Sequence, residues 1–431
     1  MKQATESGSL NEQAAPMKIL IVSYGFPPMA SSGVLRPLRF ARGLVAAGHN
    51  VAILAAEEPH YPLMSSELLA DVPNEVSIER VTAPPRYWRS SLRRAWQQIV
   101  AHIPGHRILL VACSRFMRFV LRLPYPEWTV STNRLIRRFT KKGIVLAHDC
   151  DVVLATTQPF WVLVVGADIS KACNKPLVLD YQDLWTMNPV INATSAESAI
   201  ESEVLKRASA VLTVSDGCTD IIRGLNPDLS DRIVTLLNGF DVGMYPMEEP
   251  ETEDLSLAYV GNNYGGRSLL PLLEALAAAN APITLDIWGG ITVAERELIS
   301  RIESERIRYH GTVVRETALR GLAHCDVALI TQIPDDEMSL PQKMYDALAL
   351  GKTLLFVGCP NKCQIEVVRA VDMELYSGCT SEELTTLIQR MLSEKRDGRL
   401  SRPNRAKSFA FETTQQTQEL LAVLTKVVES K

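Results

Sequence analysis

Two residues at neighbouring positions on one predicted helix face, Lys343 and Asp346, have side chains suited to binding a phosphorylated sugar. They lie in the stretch SLPQKMYDALALGK, where Ser339 and Gln342 have the spacing of a capping box and Pro341 suits a first helical turn. Lys343 then falls where unpaired amides and the helix dipole favour an anion. The pattern predicts that Lys343 meets phosphate and Asp346 a sugar hydroxyl. An ordinary capped surface helix with a Lys343–Asp346 pair is the alternative.

A framework of strands and helices must bring these residues to a ligand, and the sequence predicts one. Short apolar runs such as KILIVS (18–23), VAILAA (51–56) and DVVLATT (151–157) alternate with helical segments, and a second series runs from 255 to 358. Such alternation is typical of parallel sheets. The predicted fold class is α/β, with two Rossmann-like doubly wound parallel-sheet domains that face a cleft.

The chain of 431 residues is longer than one typical hydrophobic core supports, which predicts at least two domains. The stretch VGMYPMEEPETED is acidic and contains proline, as is typical of a linker. We predict the following organisation: a disordered extension over 1–16, a first domain over 17–241 with a basic insertion over 86–142, a linker over 242–254, a second domain over 255–404, and a C-terminal helix over 405–431 that crosses back to the first domain.

Composition excludes several classes of protein. Hydrophobic residues make up 46% of the chain and charged residues 22%, as in globular proteins. The polar residues 1–16 have no apolar core of a signal peptide, and no apolar run reaches the roughly 18 to 20 residues of a spanning helix. The eight cysteines are scattered, and Cys359-x3-Cys363 lacks the second pair of a zinc site. We therefore expect a cytoplasmic protein with reduced thiols and no metal site.

Positive charge is concentrated between Arg86 and Lys142, where thirteen Lys and Arg residues face a single acid, Glu127. The whole chain has a net charge of −4, so this segment differs sharply from the remainder. Within RILLVACSRFMRFVLRL (107–123), arginines recur at helical spacing among aromatic and aliphatic residues. The pattern predicts an interfacial helix on an anionic membrane surface, or else a helix packed on its own domain with a solvated arginine face. It matches no nucleic-acid module, and we expect no nucleic-acid partner.

The loop from Tyr24 to Gly33 follows the first predicted strand, where open parallel sheets bind ligands. It contains no GxGxxG, and the dinucleotide fingerprint is therefore absent.

Five motifs occur in a characteristic order: MKILIVSYGFPPMASSGVLRPLRFARGLVAAGHNVAIL, PLVLDYQDLW, LTVS followed by NGFD, AYVGNNYGGRSLLPLLEAL, and LPQKMYDALALGK. Together they resemble the family-4 retaining glycosyltransferases of the GT-B fold, and most closely the bacterial branch that builds surface polysaccharides. The resemblance runs from about Lys18 to Lys352 and is looser beyond.

The resemblance implies transfer of a sugar from a nucleotide diphosphosugar, with retention at the anomeric carbon and without a metal or other cofactor. The first domain would bind the acceptor and the second the nucleotide sugar. An arginine of the family that binds the diphosphate corresponds to Arg267, and Asp183 would orient the acceptor hydroxyl. The donor-binding positions correspond to Gly33, Gly261, Asn262, Pro341 and Asp346. A capping role for Asp183 is the alternative.

The chain departs from the family pattern at several positions. The second basic residue of the donor loop is replaced by Pro271 and Leu272, and we expect Lys343 to substitute for it. The first residue of the family's paired acids corresponds to Met338, and the arginine that usually precedes Asp183 is Gln182. These departures leave two alternatives to a transferase acting on a lipid-linked acceptor: a sugar-nucleotide epimerase of the same fold, and a non-catalytic scaffold.

Overall fold

The structure is a computed structural model that describes residues 15–58, 61–83, 128–188, 191, 193–242, 252–263, 266–279, 281–302, 305–334 and 336–430. Its first half is a parallel sheet in the order β3-β2-β1-β4-β5-β6-β7. The strands are β1 Lys18–Ser23, β2 Asn50–Glu57, β3 Ser77–Thr82, β4 Val152–Thr156, β5 Leu177–Tyr181, β6 Ala210–Thr213 and β7 Ile233–Thr235. The helices are α1 Ser32–Ala46, α2 Ser66–Ala70, α3 Val130–Ala147, α4 Trp161–Cys173, α5 Ser195–Arg207 and α6 Asp216–Leu225.

The second half is a parallel sheet in the order β10-β9-β8-β11-β12-β13. Its strands are β8 Leu255–Val260, β9 Ile283–Trp288, β10 Ile307–Gly311, β11 Val327–Thr331, β12 Thr353–Val357 and β13 Tyr376–Gly378. The helices are α7 Leu270–Ala278, α8 Val293–Ile302, α9 Arg315–Ala323, α10 Gln342–Ala349, α11 Lys362–Ala370, α12 Ser381–Arg396, α13 Arg405–Ser408 and α14 Thr413–Glu429. The predicted α/β class with two doubly wound parallel sheets is confirmed.

The central strands form because their sequences are apolar on both faces, as a sheet covered by helices on both sides requires. In β1, Leu20 and Val22 enter one core, while Ile19 and Ile21 enter the core on the opposite face. All five residues of β11 and of β12 are buried in the same way. This double covering leaves the strand ends as the accessible edge of each sheet.

The last helix, α14, packs against α1 of the first sheet. A Cβ added to Gly43 of α1 would lie 2.0 Å from the hydroxyl oxygen of Thr417, so the two helices approach as closely as glycine permits. The predicted continuous helix from residue 405 is wrong, since the chain turns at Glu412 before α14 begins. At this turn the backbone N–H of Thr413 donates to the carbonyl of Phe240, 3.0 Å away, and this hydrogen bond stabilises the interruption of the helix.

Residues 84–127, including the predicted interfacial helix over 107–123, lie outside the described residues. Within the described part of the chain, none of the helices is long and apolar enough to span a bilayer.

Candidate active site

The strand order of each sheet reverses at one point, and open α/β sheets bind ligands beside the carboxyl ends of the strands there. In the second sheet the reversal lies between β8 and β11, and in the first between β1 and β4. Gly261 follows β8 directly, and Thr331 is the last residue of β11. The candidate site is therefore built around these two strand ends.

Lys343, in the first turn of α10, reaches this reversal point. Its Nζ donates to Oγ1 of Thr331 at 3.3 Å and lies 4.4 Å from the centroid of the Tyr259 ring. A Cβ added to Gly261 would lie 4.0 Å from the same ammonium nitrogen. The predicted position of Lys343 in the first helical turn is correct, and its charge lies at the carboxyl edge of the sheet.

The surroundings of Lys343 do not favour its positive charge. Burial, and to a smaller extent the positive charge of Arg267, lowers the pKa of Lys343 to about 7. Two neighbouring cations repel each other, and an anion that lies between them offsets this repulsion. The Lys343–Arg267 pair at a helix N-terminus is therefore an electrostatic arrangement suited to a phosphate or diphosphate.

A close backbone contact fixes the position of the loop that follows β8. Gly289 has a φ of +124°, and a Cβ there would lie 1.9 Å from the carbonyl oxygen of Gly261. Asn262, a predicted donor-binding residue, accepts a hydrogen bond through Oδ1 from the N–H of Gly290 at 2.7 Å. Its side chain thus fixes the loop, while donor binding by Gly261 and Asn262 stays a prediction.

Glu295 of α8 organises the same loop and was missed by the sequence analysis. Its carboxylate is fully buried and accepts from the side-chain amide of Asn263 at 2.7 Å and from the N–H of Leu269 at 2.6 Å. It also accepts from the N–H of Thr292 at 2.7 Å, as a residue in the first turn of a helix can. Glu295 thereby holds both ends of the segment that carries Arg267.

Asp346 lies one turn beyond Lys343 and is buried. Its Oδ1 accepts from the guanidinium of Arg315 at 2.5 Å and from the side-chain amide of Gln342 at 2.9 Å. Gln342 also donates to the carbonyl of Gly239 in the first half of the chain, at 2.9 Å. These contacts tie α10 to α9 and to the segment that follows β7, and the ribose role of Asp346 stays a prediction.

The predicted capping box between Ser339 and Gln342 is wrong. Helix α10 begins at Gln342, with Pro341 as its N-cap residue and no side-chain cap. The carboxylate of Asp336 captures Ser339 instead, by accepting from its hydroxyl and from its N–H, the latter at 3.0 Å. Pro341 therefore leaves the N-terminus of α10 without a side-chain cap.

The segment before α10 also contacts the first half of the chain. The hydroxyl of Ser215 donates to the carbonyl oxygen of Met338 at 2.7 Å. A Cβ added to Gly217 would lie 3.2 Å from Met338, so the two halves pack tightly here. Met338 therefore occupies an interface between the halves of the chain.

Asp183 follows β5 at the edge of the first sheet and retains access to solvent. Its carboxylate accepts from the side-chain amide of Gln158 at 2.6 Å. Burial by the surrounding protein raises the pKa of Asp183 to about 6, and the negative charge of Asp336 also raises it. The hydrogen bond from Gln158 and the positive charge of Arg267 lower the pKa but do not outweigh burial. Asp183 from the first sheet and Arg267 from the second thus interact across the cleft.

Gln182, which stands where the family has an arginine, has a bridging role. Its Nε2 donates to the carbonyl of Gly33 at 3.2 Å and to Oγ1 of Thr156 at 2.9 Å. Gly33 lies in the first turn of α1 and Thr156 ends β4. Gln182 therefore fixes the start of α1 beside the reversal point of the first sheet.

Behind Asp183, a buried ion pair fixes α1 to β5. The guanidinium of Arg36 donates through Nε to both oxygens of Asp180, at 2.9 and 3.0 Å. Thr156 donates to the same carboxylate at 2.6 Å. Sequence reasoning missed this partner of Asp180 because the two residues are far apart in the chain.

Similarity to known proteins agrees with this architecture. Residues 35–239 match the family described as "Glycosyl transferase 4-like domain". No curated protein matches the sequence at a significant level. HepE from Anabaena, solved in complex with UDP and glucose, is 16% identical, with a TM-score of 0.66 over 95% of this chain and 100% of that chain.

Two further solved structures have the same overall arrangement. A sucrose-phosphate synthase from Thermosynechococcus elongatus is 15% identical, with a TM-score of 0.65 over 96% of this chain and 100% of that chain. A Listeria monocytogenes protein described as a UDP-N-acetylglucosamine 2-epimerase is 11% identical, with a TM-score of 0.58 over 97% of this chain and 98% of that chain. The likeness extends over both sheets and confirms the two-domain fold.

Proposed function

We propose that this chain, a GT-B protein whose first domain belongs to the glycosyl transferase 4-like family, transfers a hexosyl group from a nucleotide diphosphosugar to a lipid-linked glycan with retention at the anomeric carbon. The observation that carries the proposal is the pair of cations, Lys343 and Arg267, at the reversal point of the second sheet. HepE, which shares this fold, has been solved with UDP-glucose.

In this proposal the second domain binds the donor diphosphate. Lys343, Arg267 and the first-turn amides of α10 stabilise the charge that develops on the departing nucleoside diphosphate. These positive charges supply the stabilisation that a divalent cation provides in other transferases, and we propose that the reaction needs no metal.

Asp183 faces this anion site from the first domain and orients the acceptor hydroxyl. The acceptor oxygen attacks the anomeric carbon from the face that the diphosphate leaves, and the leaving phosphate oxygen takes the hydroxyl proton. One glycosidic bond forms and one bond between sugar and phosphate breaks, with retention of configuration. No second carboxylate is needed as a nucleophile, in contrast to retaining glycosidases.

An epimerase is the second candidate, because one structural relative is described as a UDP-N-acetylglucosamine 2-epimerase. Such a reaction needs acid and base groups at the donor sugar carbon. The position of the family's first acid is Met338, whose backbone carbonyl accepts from Ser215. An uncharged side chain at this position favours transfer over epimerisation. The same replacement is one of the departures from the family pattern that leave a non-catalytic scaffold as an alternative.

We further propose that the protein acts in polysaccharide biosynthesis at the cytoplasmic face of a membrane, where lipid-linked acceptors lie. Helix α3 supports this, because Arg134, Arg137, Arg138 and Lys141 are exposed along it. Replacing Arg115, Arg118 and Arg122 with Glu should release the protein from anionic liposomes. Unchanged sedimentation of this variant would exclude the membrane arrangement.

Turnover of a donor panel tests the proposed activity. Purified protein should release nucleoside diphosphate from one sugar nucleotide when a lipid-linked acceptor is present, and Lys343→Ala or Arg267→Ala should lower the rate by at least about tenfold. Lys362→Ala is the matched control, because Lys362 also lies in a first helical turn but is exposed. Absence of turnover and of binding across the panel would overturn the proposal.

A further inference from the structure

Two exposed cysteines follow neighbouring strands of the second sheet. Cys379 comes directly after β13, and Cys359 comes two residues after β12. The strands pair with Val357 opposite Gly378, and the N–H of Gly358 donates to the carbonyl of Gly378 at 2.8 Å. Adjacent strands lie about 4.8 Å apart, within the range of Cα separations that a disulfide bridges.

The two thiols also contact each other. A hydrogen bond between them raises the pKa of Cys379 to about 11, with a smaller contribution from burial. Cys379 therefore keeps its proton and donates it toward the sulfur of Cys359. A thiolate is the form that attacks a disulfide, and the exposed thiol of Cys359 is accessible to one.

Two helix N-termini surround the pair. Thr380 caps α12, and Asn361 caps α11, each through a complete capping box. The capping carboxylate of Glu383 also accepts from the N–H of Cys379 at 2.8 Å. The caps fix the backbone beside both cysteines.

The other cysteines that the structure describes differ from this pair. Cys173 is half-buried, and the remaining four are buried. Burial raises the pKa of Cys150 to about 11 and that of Cys218 and Cys325 to about 12. Buried thiols that resist ionisation react slowly, so exchange chemistry should concentrate on the exposed pair.

We propose that Cys359 and Cys379 are a reversible dithiol–disulfide site that exchanges with low-molecular-weight disulfides. The Cys359 thiolate attacks one sulfur of the small disulfide and releases one small thiolate. The sulfur of Cys379 then loses its proton and displaces the second small thiol from Cys359. The protein is oxidised by two electrons, the small disulfide is reduced to two thiols, and a thiol reductant reverses both steps.

The pair is linked to the segment that leads into α10. Asn361 donates through Nδ2 to the carbonyl of Ser339 at 3.0 Å, and Gln364 donates to the same oxygen at 3.1 Å. A disulfide at Cys359 would restrain the loop that ends at Asn361. If the proposed function is correct, oxidation should then change donor affinity, because Ser339 lies four residues before Lys343.

Oxidised glutathione tests the site on the full chain. Trypsin cuts after Lys352, Lys362, Arg369 and Arg390, so Cys359, Cys363 and Cys379 fall on three different peptides. Mass spectrometry should show the intact protein losing two hydrogens, the Cys359 and Cys379 peptides joined, and full reversal by dithiothreitol. Cys359→Ser and Cys379→Ser should each prevent the linkage, and the control Cys173→Ser should not.

A stable glutathione adduct on Cys359 without the linked peptide, or a linkage to another cysteine, would overturn the proposal. The readout is independent of nucleotide binding. If the linkage forms but no sugar nucleotide binds, the proposed function fails and the dithiol site stands.

Discussion

The lowered pKa of Lys343 predicts that donor binding depends on pH. In the free protein the lysine is half charged near pH 7, because burial and Arg267 disfavour its ammonium form. A bound diphosphate should restore the charge by offering an anionic partner. Binding above pH 7 must therefore take up a proton, and the affinity for the donor should fall as pH rises.

The size of the effect follows from a pKa of about 7. The charged fraction of Lys343 falls from about nine-tenths at pH 6 to about one-tenth at pH 8, so the affinity should fall about tenfold, or about 1.4 kcal/mol. Proton uptake on binding should rise from about 0.1 at pH 6 to about 0.9 at pH 8. Lys343→Met should bind more weakly at pH 6 and show no such dependence.

Calorimetric titration with UDP-glucose, in buffers of different ionisation enthalpy, measures both quantities. The diphosphate of this ligand carries no group that titrates between pH 6 and 8, so the protons taken up from the buffer must bind to the protein. Equal pH dependence in the wild type and in Lys343→Met would refute the reasoning. Thermal melting gives a second check. Since the fold disfavours the charged lysine, Lys343→Met should raise the melting temperature of the free protein near pH 6.

Three further predictions concern the framework of the site. Asp183→Asn should remove the acid limb of the rate profile, because the raised pKa of about 6 means that the wild-type carboxylate ionises through that pH; an unchanged limb would exclude Asp183 as its source. Gly289→Ala should lower the free energy of unfolding in urea by about 2 kcal/mol or more, because its Cβ would overlap a carbonyl oxygen 1.9 Å away. Gly311→Ala, with open space around it, should lower this free energy by about 1 kcal/mol. Arg36→Met should lower the free energy of unfolding by about 3 to 5 kcal/mol, because Asp180 would stay buried without this cation. A double variant with Asp180→Asn should recover part of that loss. If the effects of the two substitutions simply add, the pairing is contradicted.

The strands and the order of the helices could be predicted because they depend on local pattern. Runs such as ILIV within KILIVS are apolar at consecutive positions, and sheets buried on both faces require this. The position of Lys343 in a first helical turn is equally local, since Pro341 stands two residues before it. The place of Lys343 at the helix start could therefore be predicted from the sequence alone.

Most contacts that complete the site join residues far apart in the chain. One exception is local: Ser339 has the right type for a cap, but the carboxylate of Asp336 accepts from its hydroxyl and its N–H. Glu295 resembles any first-turn glutamate, and only the fold brings the loop of Asn263 to it. The partner of Asp346, Arg315, lies on a different helix. Local spacing carries no information about such pairings.

The central claim is transfer of a sugar from a nucleotide sugar at the facing sheet edges. Its most direct test is a proton NMR time course of a nucleotide sugar incubated with the protein and a lipid-linked acceptor. We predict that the anomeric signal of the donor disappears only with acceptor, and that a glycolipid of the same anomeric configuration appears. Conversion of the donor into another sugar nucleotide without acceptor, or an unchanged donor signal across a broad panel, would contradict the account.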